Sequence, residues 1–232
     1  MIELSGVALK GEIGDRLVGC QLAVRAGEVL GVIGPTGSGK TSLLRVCAGR
    51  VSVTRGQIRM DGRDVTRQHE RLRTAAGYLD SQIPGPSDLT TAEWLNFWAD
   101  LGDVSAETRR DTIQAMSTRF GAPLGTRSLS LCSTGELKRL NLARVWMGSP
   151  RFFVLDEASA GLDGDGLGRL SAAIEDASSA GTTVILSDSS PHLPVSVCDR
   201  VVIMKDGDVS AEISRTDPRF ESMIAAAQGW AQ

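Results

Sequence analysis

Apolar positions near the N-terminus come in short runs separated by turn residues. These runs predict strands over residues 2–8, 17–24 and 29–33. A further short strand is predicted over residues 56–62, closed by the Asp-Gly pair at 61–62, and another over residues 75–79. The chain therefore begins with a region rich in β-structure.

Between about residues 84 and 144 the spacing of apolar positions becomes helical. Thr90 and Glu93 form a capping-box pattern ahead of a helix with these apolar positions: Trp94, Leu95, Phe97, Trp98 and Leu101. This cluster is interpreted either as the buried face of an amphipathic helix or as part of a socket for a partner helix. A second helix is predicted from about residue 105, with a stop at residues 121–123.

The last part of the chain alternates strands with helices. Continuous apolar runs at residues 151–155 and 182–186 predict strands that are covered on both faces, and residues 167–177 between them predict a helix. Residues 201–204 predict a strand that leaves through an Asp-Gly turn at 206–207, which indicates a hairpin. From residue 211 to the end, at most one short helix is predicted.

Composition narrows the class of protein without naming a partner. The chain has 232 residues, of which 41% are hydrophobic and 23% charged, and its net charge is −3. Neither a nucleic-acid-binding surface nor a disordered tail is indicated. Four separated cysteines and two histidines have no zinc-site spacing, so free thiols in a reducing compartment are expected. No leader and no apolar segment of membrane-spanning length is recognised, so a soluble, cytoplasmic chain is expected.

A phosphate-binding loop follows the predicted strand at residues 29–33. Residues 34–41 read G-x-x-x-x-G-K-[ST], and a helical pattern continues behind them. The backbone N–H groups of such a loop and the N-terminus of its helix bind anions, Lys40 would reach the outer phosphates, and the Thr41 hydroxyl would ligate magnesium. The residues predicted to bind ATP are Gly34, Pro35, Thr36, Gly37, Ser38, Gly39, Lys40, Thr41 and Ser42.

Two acidic residues end the apolar run at residues 151–155. Asp156 is predicted to hold magnesium, and Glu157 to orient and polarise the water that attacks the γ-phosphate. An acidic pair after a strand is a weak signal by itself, and its weight comes from Lys40. The fold class that follows is α/β: a P-loop NTPase with a mostly parallel central sheet, an N-terminal antiparallel β region and an inserted helical lobe.

The chain resembles the ATPase subunits of ABC transporters over nearly its whole length. Residues 34–41 are similar to the Walker A motif and residues 152–156 to Walker B. The resemblance implies a catalytic glutamate at Glu157 and a D-loop at residues 158–163, ending in Asp163, which would contribute to nucleotide binding. It also implies a Q-loop glutamine at Gln82, with catalytic and metal-binding roles, and a signature segment at residues 132–136. Residues 89–93 and 198–201 are most similar to exporters of the ABC-2 type.

This resemblance implies a domain organisation and partners. A single ATPase domain over 1–232 is expected, with its α/β core at 1–83 and 145–232 and a helical subdomain at 84–144. Two ATPase subunits would pack head to tail, so that Ser133 and Gly135 of one cover the ATP on Lys40 of the other. A membrane-spanning transporter subunit is the further partner, which places the chain on the inner face of the cell membrane; no nucleic acid is expected.

Three positions depart from the family pattern. Gly11 stands where an aromatic residue usually stacks on adenine, which predicts weaker ATP binding unless a neighbour such as Ile13 packs there. Ser189 stands at the position of the switch histidine, which contacts the γ-phosphate, and His192 is the alternative for that role. In the signature, Thr134 adds bulk, and Glu136 adds a negative charge that is unfavourable near phosphates unless a cation intervenes.

The sequence and the resemblance thus predict a magnesium-dependent ATPase that powers an exporter through ATP-driven dimerisation, with slow turnover. The alternatives are a low-turnover, ATP-dependent clamp or regulatory subunit of a membrane complex, or the degenerate half of a heterodimer. Gly11 and Ser189 favour the clamp, whereas Glu157, Gln82 and Asp163 favour the motor. A soluble ATPase that acts on nucleic acid is disfavoured by the single phosphate loop and the acidic net charge.

Overall fold

Two β-sheets form the framework of the molecule. The structure is a computed structural model that describes residues 2–11, 14–80, 88–227 and 229. The smaller sheet is antiparallel and consists of β1 (Ile2–Gly11), β2 (Gly14–Val24), β4 (Arg55–Met60) and β5 (Arg63–Asp64), in the order β2-β1-β4-β5.

The larger sheet carries the parallel strands. Its members are β3 (Val29–Ile33), β6 (Ala76–Leu79), β7 (Phe152–Leu155), β8 (Thr183–Ser187), β9 (Arg200–Lys205) and β10 (Asp208–Ser214). Their order is β10-β9-β3-β8-β7-β6, and every pairing is parallel except that of β10 with β9. The carboxyl ends of β3, β8, β7 and β6 therefore lie side by side at one edge. This arrangement confirms the predicted fold class.

Helices connect these strands. They are α1 (Lys40–Cys47), α2 (His69–Ala75), α3 (Thr91–Leu101), α4 (Arg109–Phe120), α5 (Thr134–Met147), α6 (Gly164–Ser179), α7 (His192–Val197) and α8 (Phe220–Ala227), with a 3₁₀ turn at Leu129–Leu131. The sequence patterns did not indicate α2 or α7. Both are short, at 7 and 6 residues, so they offer little helical periodicity to detect.

The larger sheet separates two apolar cores. Alternate residues of β3 point to opposite faces: Val29 and Ile33 pack into one core, Leu30 and Val32 into the other. The first core includes apolar residues of α3 to α6, and the second those of α1 and the smaller sheet. Burial on both faces explains why the central strands read as unbroken apolar runs.

The predicted turns and the aromatic cluster can now be placed. Asp61 and Gly62 have φ of 51° and 75° and form the predicted turn, which in the structure joins β4 to β5 in a hairpin. Thr90 and Glu93 form the predicted capping box of α3. Trp94 is fully buried, as one interpretation predicted, but Phe97 and Leu101 on the same helix are 46% and 60% exposed. The cluster therefore divides between the core and the surface.

Among the described residues, no helix has both the length and the apolar character needed to cross a membrane.

Candidate nucleotide and magnesium site

The phosphate loop follows β3 directly and leads into α1. Gly34 has φ of 144°, and a Cβ atom there would lie 2.3 Å from the carbonyl oxygen of Met204, so a side chain is excluded. The first turn of α1 has no side-chain cap at Gly39, which leaves its N–H groups for an anion. Lys40 is buried, and its Nζ donates to the carbonyl oxygens of Gly34 at 2.8 Å and Pro35 at 3.1 Å. The side chain of Lys40 thus lies within the predicted phosphate loop.

Asp156 has the features of a magnesium ligand. Its side chain is fully buried at the end of β7, and Oδ1 accepts hydrogen bonds from Ser187 Oγ at 2.7 Å and Thr41 Oγ1 at 3.2 Å. Oδ2 is also buried and has no hydrogen-bond partner in the described part of the chain. A buried carboxylate oxygen without a partner is costly, and hydroxyl and carboxylate oxygens are ligands that magnesium prefers. Thr41 and Asp156 therefore fit this ion.

Glu157 lies at the same edge and is held by Ser189. The backbone N–H of Ser189 donates to Glu157 Oε2 at 3.1 Å, and its hydroxyl donates to the same oxygen at 2.7 Å. Glu157 has φ of 48°, which is unusual for a residue other than glycine. The carbonyl oxygen of Glu157 accepts a hydrogen bond from Lys138 Nζ at 2.6 Å, and the backbone N–H of Glu157 donates to Ser187 Oγ at 3.0 Å. Its carboxylate is thus fixed against the segment that follows β8.

The signature segment forms the start of α5. Ser133 is the N-cap, and it shares a reciprocal capping box with Glu136. Arg127 donates to both carboxylate oxygens of Glu136, at 2.8 and 3.1 Å. The cation that Glu136 was expected to need is therefore present in the same chain. Thr134 is exposed, and a Cβ atom at Gly135 would lie 2.9 Å from the carbonyl oxygen of Gly161.

Asp163 caps α6 in this structure. Its Oδ1 accepts from the N–H of Gly166 at 2.8 Å, and it pairs with Arg139. The hydrogen bond from the Gly166 amide lowers the pKa of Asp163 below its usual value, and the hydrogen bond from Arg139 lowers it further. The contacts describe a helix cap, and a direct part in nucleotide binding stays a prediction.

The remaining predicted residues fall into two groups, those that the structure describes and those outside the described residues. Gln82 and Ile13 belong to the latter group. Gly11 is the last residue of β1 and is half-buried. His192 begins α7 on the surface, and its N–H points to Ser190 Oγ at 3.4 Å, whereas Ser189 contacts Glu157 itself.

Two charged residues that the sequence analysis did not select lie in this cluster. Lys138 and Asp188 are 7% and 2% exposed. Burial lowers the pKa of Lys138 to about 8, against the opposite effect of nearby carboxylates, foremost that of Asp188. A signal for Asp188 existed, because it directly follows a fully buried strand, as Asp156 does. The sequence offered no comparable signal for Lys138, because its neighbours Leu137 and Arg139 do not show that this side of the helix is buried.

Comparison with known proteins identifies the family. The family model described as ABC transporter matches residues 17–160. The chain is 33% identical over 190 residues to the lipopolysaccharide export system ATP-binding protein LptB of Acidithiobacillus ferridurans, which covers 80% of this chain and 78% of that protein. It is 32% identical over 233 residues to the ribose import ATP-binding protein RbsA 2 of Burkholderia pseudomallei, covering 93% of this chain and 45% of that protein.

The solved structures agree in fold. The dimeric ATP-binding cassette MJ0796, in a post-hydrolysis state bound to ADP and Pi, superposes with a TM-score of 0.83 at 21% identity, covering 94% of this chain and 100% of that one. The named relatives include an export and an import protein, so they do not assign a direction of transport. Because the family model spans more than half of the sequence, the chain belongs to the ABC transporter family as an ATP-binding ATPase subunit.

Proposed function

We propose that this protein hydrolyses ATP with magnesium and uses the resulting dimerisation cycle to drive a membrane exporter. The observation that carries the proposal is the Glu157 carboxylate, held by Ser189 at the sheet edge that also presents Lys40 and Asp156. Export is inferred from the resemblance of residues 89–93 and 198–201 to ABC-2 exporters.

The residues divide the chemistry between them. The phosphate loop binds and orients the phosphates, and Lys40 exchanges its two carbonyl partners for phosphate oxygens. Thr41 and Asp156 hold magnesium, which supplies charge neutralisation on the β- and γ-phosphates when it is bound. Glu157 orients the water and accepts its proton, while Ser189 keeps the carboxylate in place. Gln82 is proposed to sense the metal and the water.

The start of α5 fits the proposed head-to-tail dimer. Ser133 is exposed, and its hydroxyl can donate outward while its oxygen accepts the Glu136 amide at 3.2 Å. Glu136 is neutralised by Arg127, so the charge that the sequence analysis judged unfavourable is already paired before a phosphate approaches. Ser133 and Gly135 of one subunit are therefore proposed to face the ATP of its partner, with Asp163 nearby.

A groove beside α3 is the proposed docking site for a helix of the membrane subunit. It encloses about 500 Å³, and its lining includes Arg50, Arg73, Tyr78, Trp98, Leu101 and Arg144. The Arg144 guanidinium lies 4.5 Å from the centroid of the Trp98 ring, and that of Arg50 lies 5.3 Å from the Tyr78 ring. A concave, aromatic surface with Phe97 and Leu101 exposed at α3 suits an amphipathic helix.

The charge of this face supports a membrane-side orientation. Residues 45–75 contain eight arginines and three acidic residues, a net charge of +5, whereas the rest of the chain has 17 basic and 25 acidic residues, a net charge of −8. Arg50, Arg73 and Thr74 of this segment line the groove, and Thr74 also lines a second cavity with Arg63, Arg71 and Arg151. A basic face beside the groove would lie toward the anionic cytoplasmic leaflet.

The test of the proposal is ATP turnover. Purified wild type should hydrolyse ATP only with magnesium, and Glu157→Gln should bind ATP with similar affinity but turn it over about 10²–10³-fold more slowly, as on loss of a preorganised catalytic group. Lys40→Ala, the control for binding, should lose ATP affinity. Both rates are measured with and without the co-purifying membrane subunit.

Equal turnover of wild type and Glu157→Gln, with ATP still bound in both settings, would refute the motor. It would support a low-turnover clamp, which Gly11 and the short side chain of Ser189 favour. Transport against a gradient in reconstituted vesicles, measured in both directions, decides between export and import.

A further inference from the structure

A second carboxylate, Asp188, joins the two loops that form the catalytic edge. It follows β8 and is 2% exposed. Its Oδ2 accepts the N–H of Ser159 at 2.8 Å, and its Oδ1 accepts the hydroxyl of Ser159 at 2.9 Å. The N–H of Ser190 donates to Oδ1 at 2.8 Å. One side chain thus ties the segment after β7 to the segment after β8.

These contacts mirror those between Glu157 and Ser189. In one direction, a carboxylate after β7 accepts the N–H and hydroxyl of a serine after β8. In the other, a carboxylate after β8 accepts the N–H and hydroxyl of a serine after β7. We name this reciprocal arrangement of Glu157, Ser159, Asp188 and Ser189 the loop clasp. The clasp therefore positions the two loops relative to each other.

A neutral residue cannot reproduce the contacts of Asp188. Burial, with a further contribution from Glu157, raises the pKa of Asp188, and the hydrogen bonds from Ser190 and Ser159 oppose that effect. The ionised carboxylate accepts from all three donors. An asparagine carries one oxygen and one NH₂ group in place of the two carboxylate oxygens. In either orientation of its amide, the NH₂ group would face the backbone N–H of Ser159 or of Ser190, so that two donors would meet without an acceptor. The buried ammonium of Lys138 offsets the negative charge of this region.

The position of Glu157 depends on this anchoring. Its left-handed backbone, with φ of 48°, persists only where the surroundings impose it. The N–H and C=O of Glu157 are bound by Ser187 and Lys138, and Asp188 binds the chain two residues later through Ser159. Without that last contact, the segment 157–159 can relax and carry the carboxylate away from the attacking water.

We propose that Asp188 is a positioning residue for ATP hydrolysis, which holds Glu157 and Ser189 in their active arrangement through Ser159. The inference rests on the proposed function, since it assumes that Glu157 acts on water. Asp188 acts through Ser159 and is not proposed to contact nucleotide or metal. Its loss should therefore slow turnover while ATP binding is kept.

The experiment compares Asp188→Asn, Ser159→Ala and the double variant. Asp188→Asn should lower kcat about 10- to 100-fold, the effect of displacing a general base, with KM and the affinity for ATP within 2-fold of wild type. Ser159→Ala keeps its backbone N–H contact and should lower kcat less. Because both act through one contact, the double variant should be no slower than Asp188→Asn.

A matched control and a second measurement separate positioning from folding. Asp199 Oδ2 accepts the N–H of Val29 at 2.9 Å at the opposite end of the sheet, so Asp199→Asn makes the same chemical change away from the site and should leave kcat unchanged. Hydrogen exchange of peptides covering residues 157–161 and 188–191 should be at least about 10-fold faster in Asp188→Asn than in wild type.

The inference is overturned by unchanged exchange, by an effect on KM instead of kcat, or by additive effects of the two single variants. A wild type that binds ATP without hydrolysing it would refute the proposed function. Hydrogen exchange would then still show whether Asp188 holds the segment, so the two failures can be told apart.

Discussion

At the scale of single residues, Ser189 changes the meaning of a departure from the family pattern. Ser189 stands at the position of a histidine that contacts the γ-phosphate, and from the family pattern its shorter side chain would be a defect. In the structure, its backbone N–H and hydroxyl both bind Glu157. Ser189 therefore binds the carboxylate of Glu157. One of its two hydrogen bonds comes from the backbone N–H and does not depend on the side chain.

Ser189→Ala should thus impair hydrolysis without abolishing it. The variant loses the hydroxyl bond at 2.7 Å but keeps the backbone bond at 3.1 Å. A hydrogen bond to a charged group contributes about 1.5–3 kcal/mol, and the lower end of this range, which is expected because the backbone bond remains, corresponds to a decrease in kcat of about 10-fold. Ser189→Thr, which keeps the hydroxyl, is the control and should stay within about 3-fold of wild type. A loss as large as that of Glu157→Gln would show that the backbone bond alone contributes nothing.

At the scale of elements, the start of α5 combines a helix cap with an ion pair. Glu136 accepts the N–H of Ser133 at 2.8 Å and pairs with Arg127. The pKa of Glu136 is held below its usual value, mainly by the hydrogen bond from the Ser133 amide and to a lesser extent by Arg127. A group with a lowered pKa stabilises the fold above its unfolded pKa, about 4.3 for glutamate, and loses this effect as the pH falls through the folded value.

Glu136→Ala should therefore destabilise the protein at neutral pH by about 1 kcal/mol, a decrease in Tm of about 2–4 °C. The difference from wild type should shrink as the pH is lowered from 7 toward 3, for as long as both proteins stay folded. Urea unfolding at each pH measures it. Glu136→Gln keeps a capping partner without the charge and should lie between the two. A difference independent of pH would contradict a charged cap.

The elements also show what the sequence could and could not predict. The strands β3, β7 and β8 were predictable because burial on both faces leaves unbroken apolar runs. Lys40 and Asp156 were predictable because local motifs follow those strands. The contact of Glu157 with Ser189 was not, since it joins residues 32 positions apart whose meeting depends on β7 pairing with β8. The same holds for Ser159 and Asp188.

At the scale of the whole molecule, the groove beside α3 and the basic segment at residues 45–75 lie next to each other. The overall net charge of −3 conceals this segment, which is why the sequence analysis inferred no partner from charge. Apolar residues and arginines thus line the same groove.

Phe97→Asp should weaken binding to the membrane subunit while the ATPase rate of the isolated chain stays within about 2-fold. The reason is that a charge placed at a 46% exposed apolar position beside the groove must be desolvated on docking. Co-purification from detergent-solubilised membranes measures the loss. Leu124→Asp, at an apolar position that is 38% exposed outside the groove, is the matched control. Equal retention of both variants would place the docking site elsewhere.

The uneven charge has a consequence before any contact is made. With the proposed basic face at the groove, the +5 of residues 45–75 against the −8 of the remainder of the chain would correspond to an electric dipole. In the field of a negatively charged surface, such a dipole experiences a torque that turns its basic side toward the surface, over distances of about one Debye length, roughly 8 Å at physiological salt. The subunit would thus approach the membrane already oriented with its groove foremost, which shortens the rotational search for its partner.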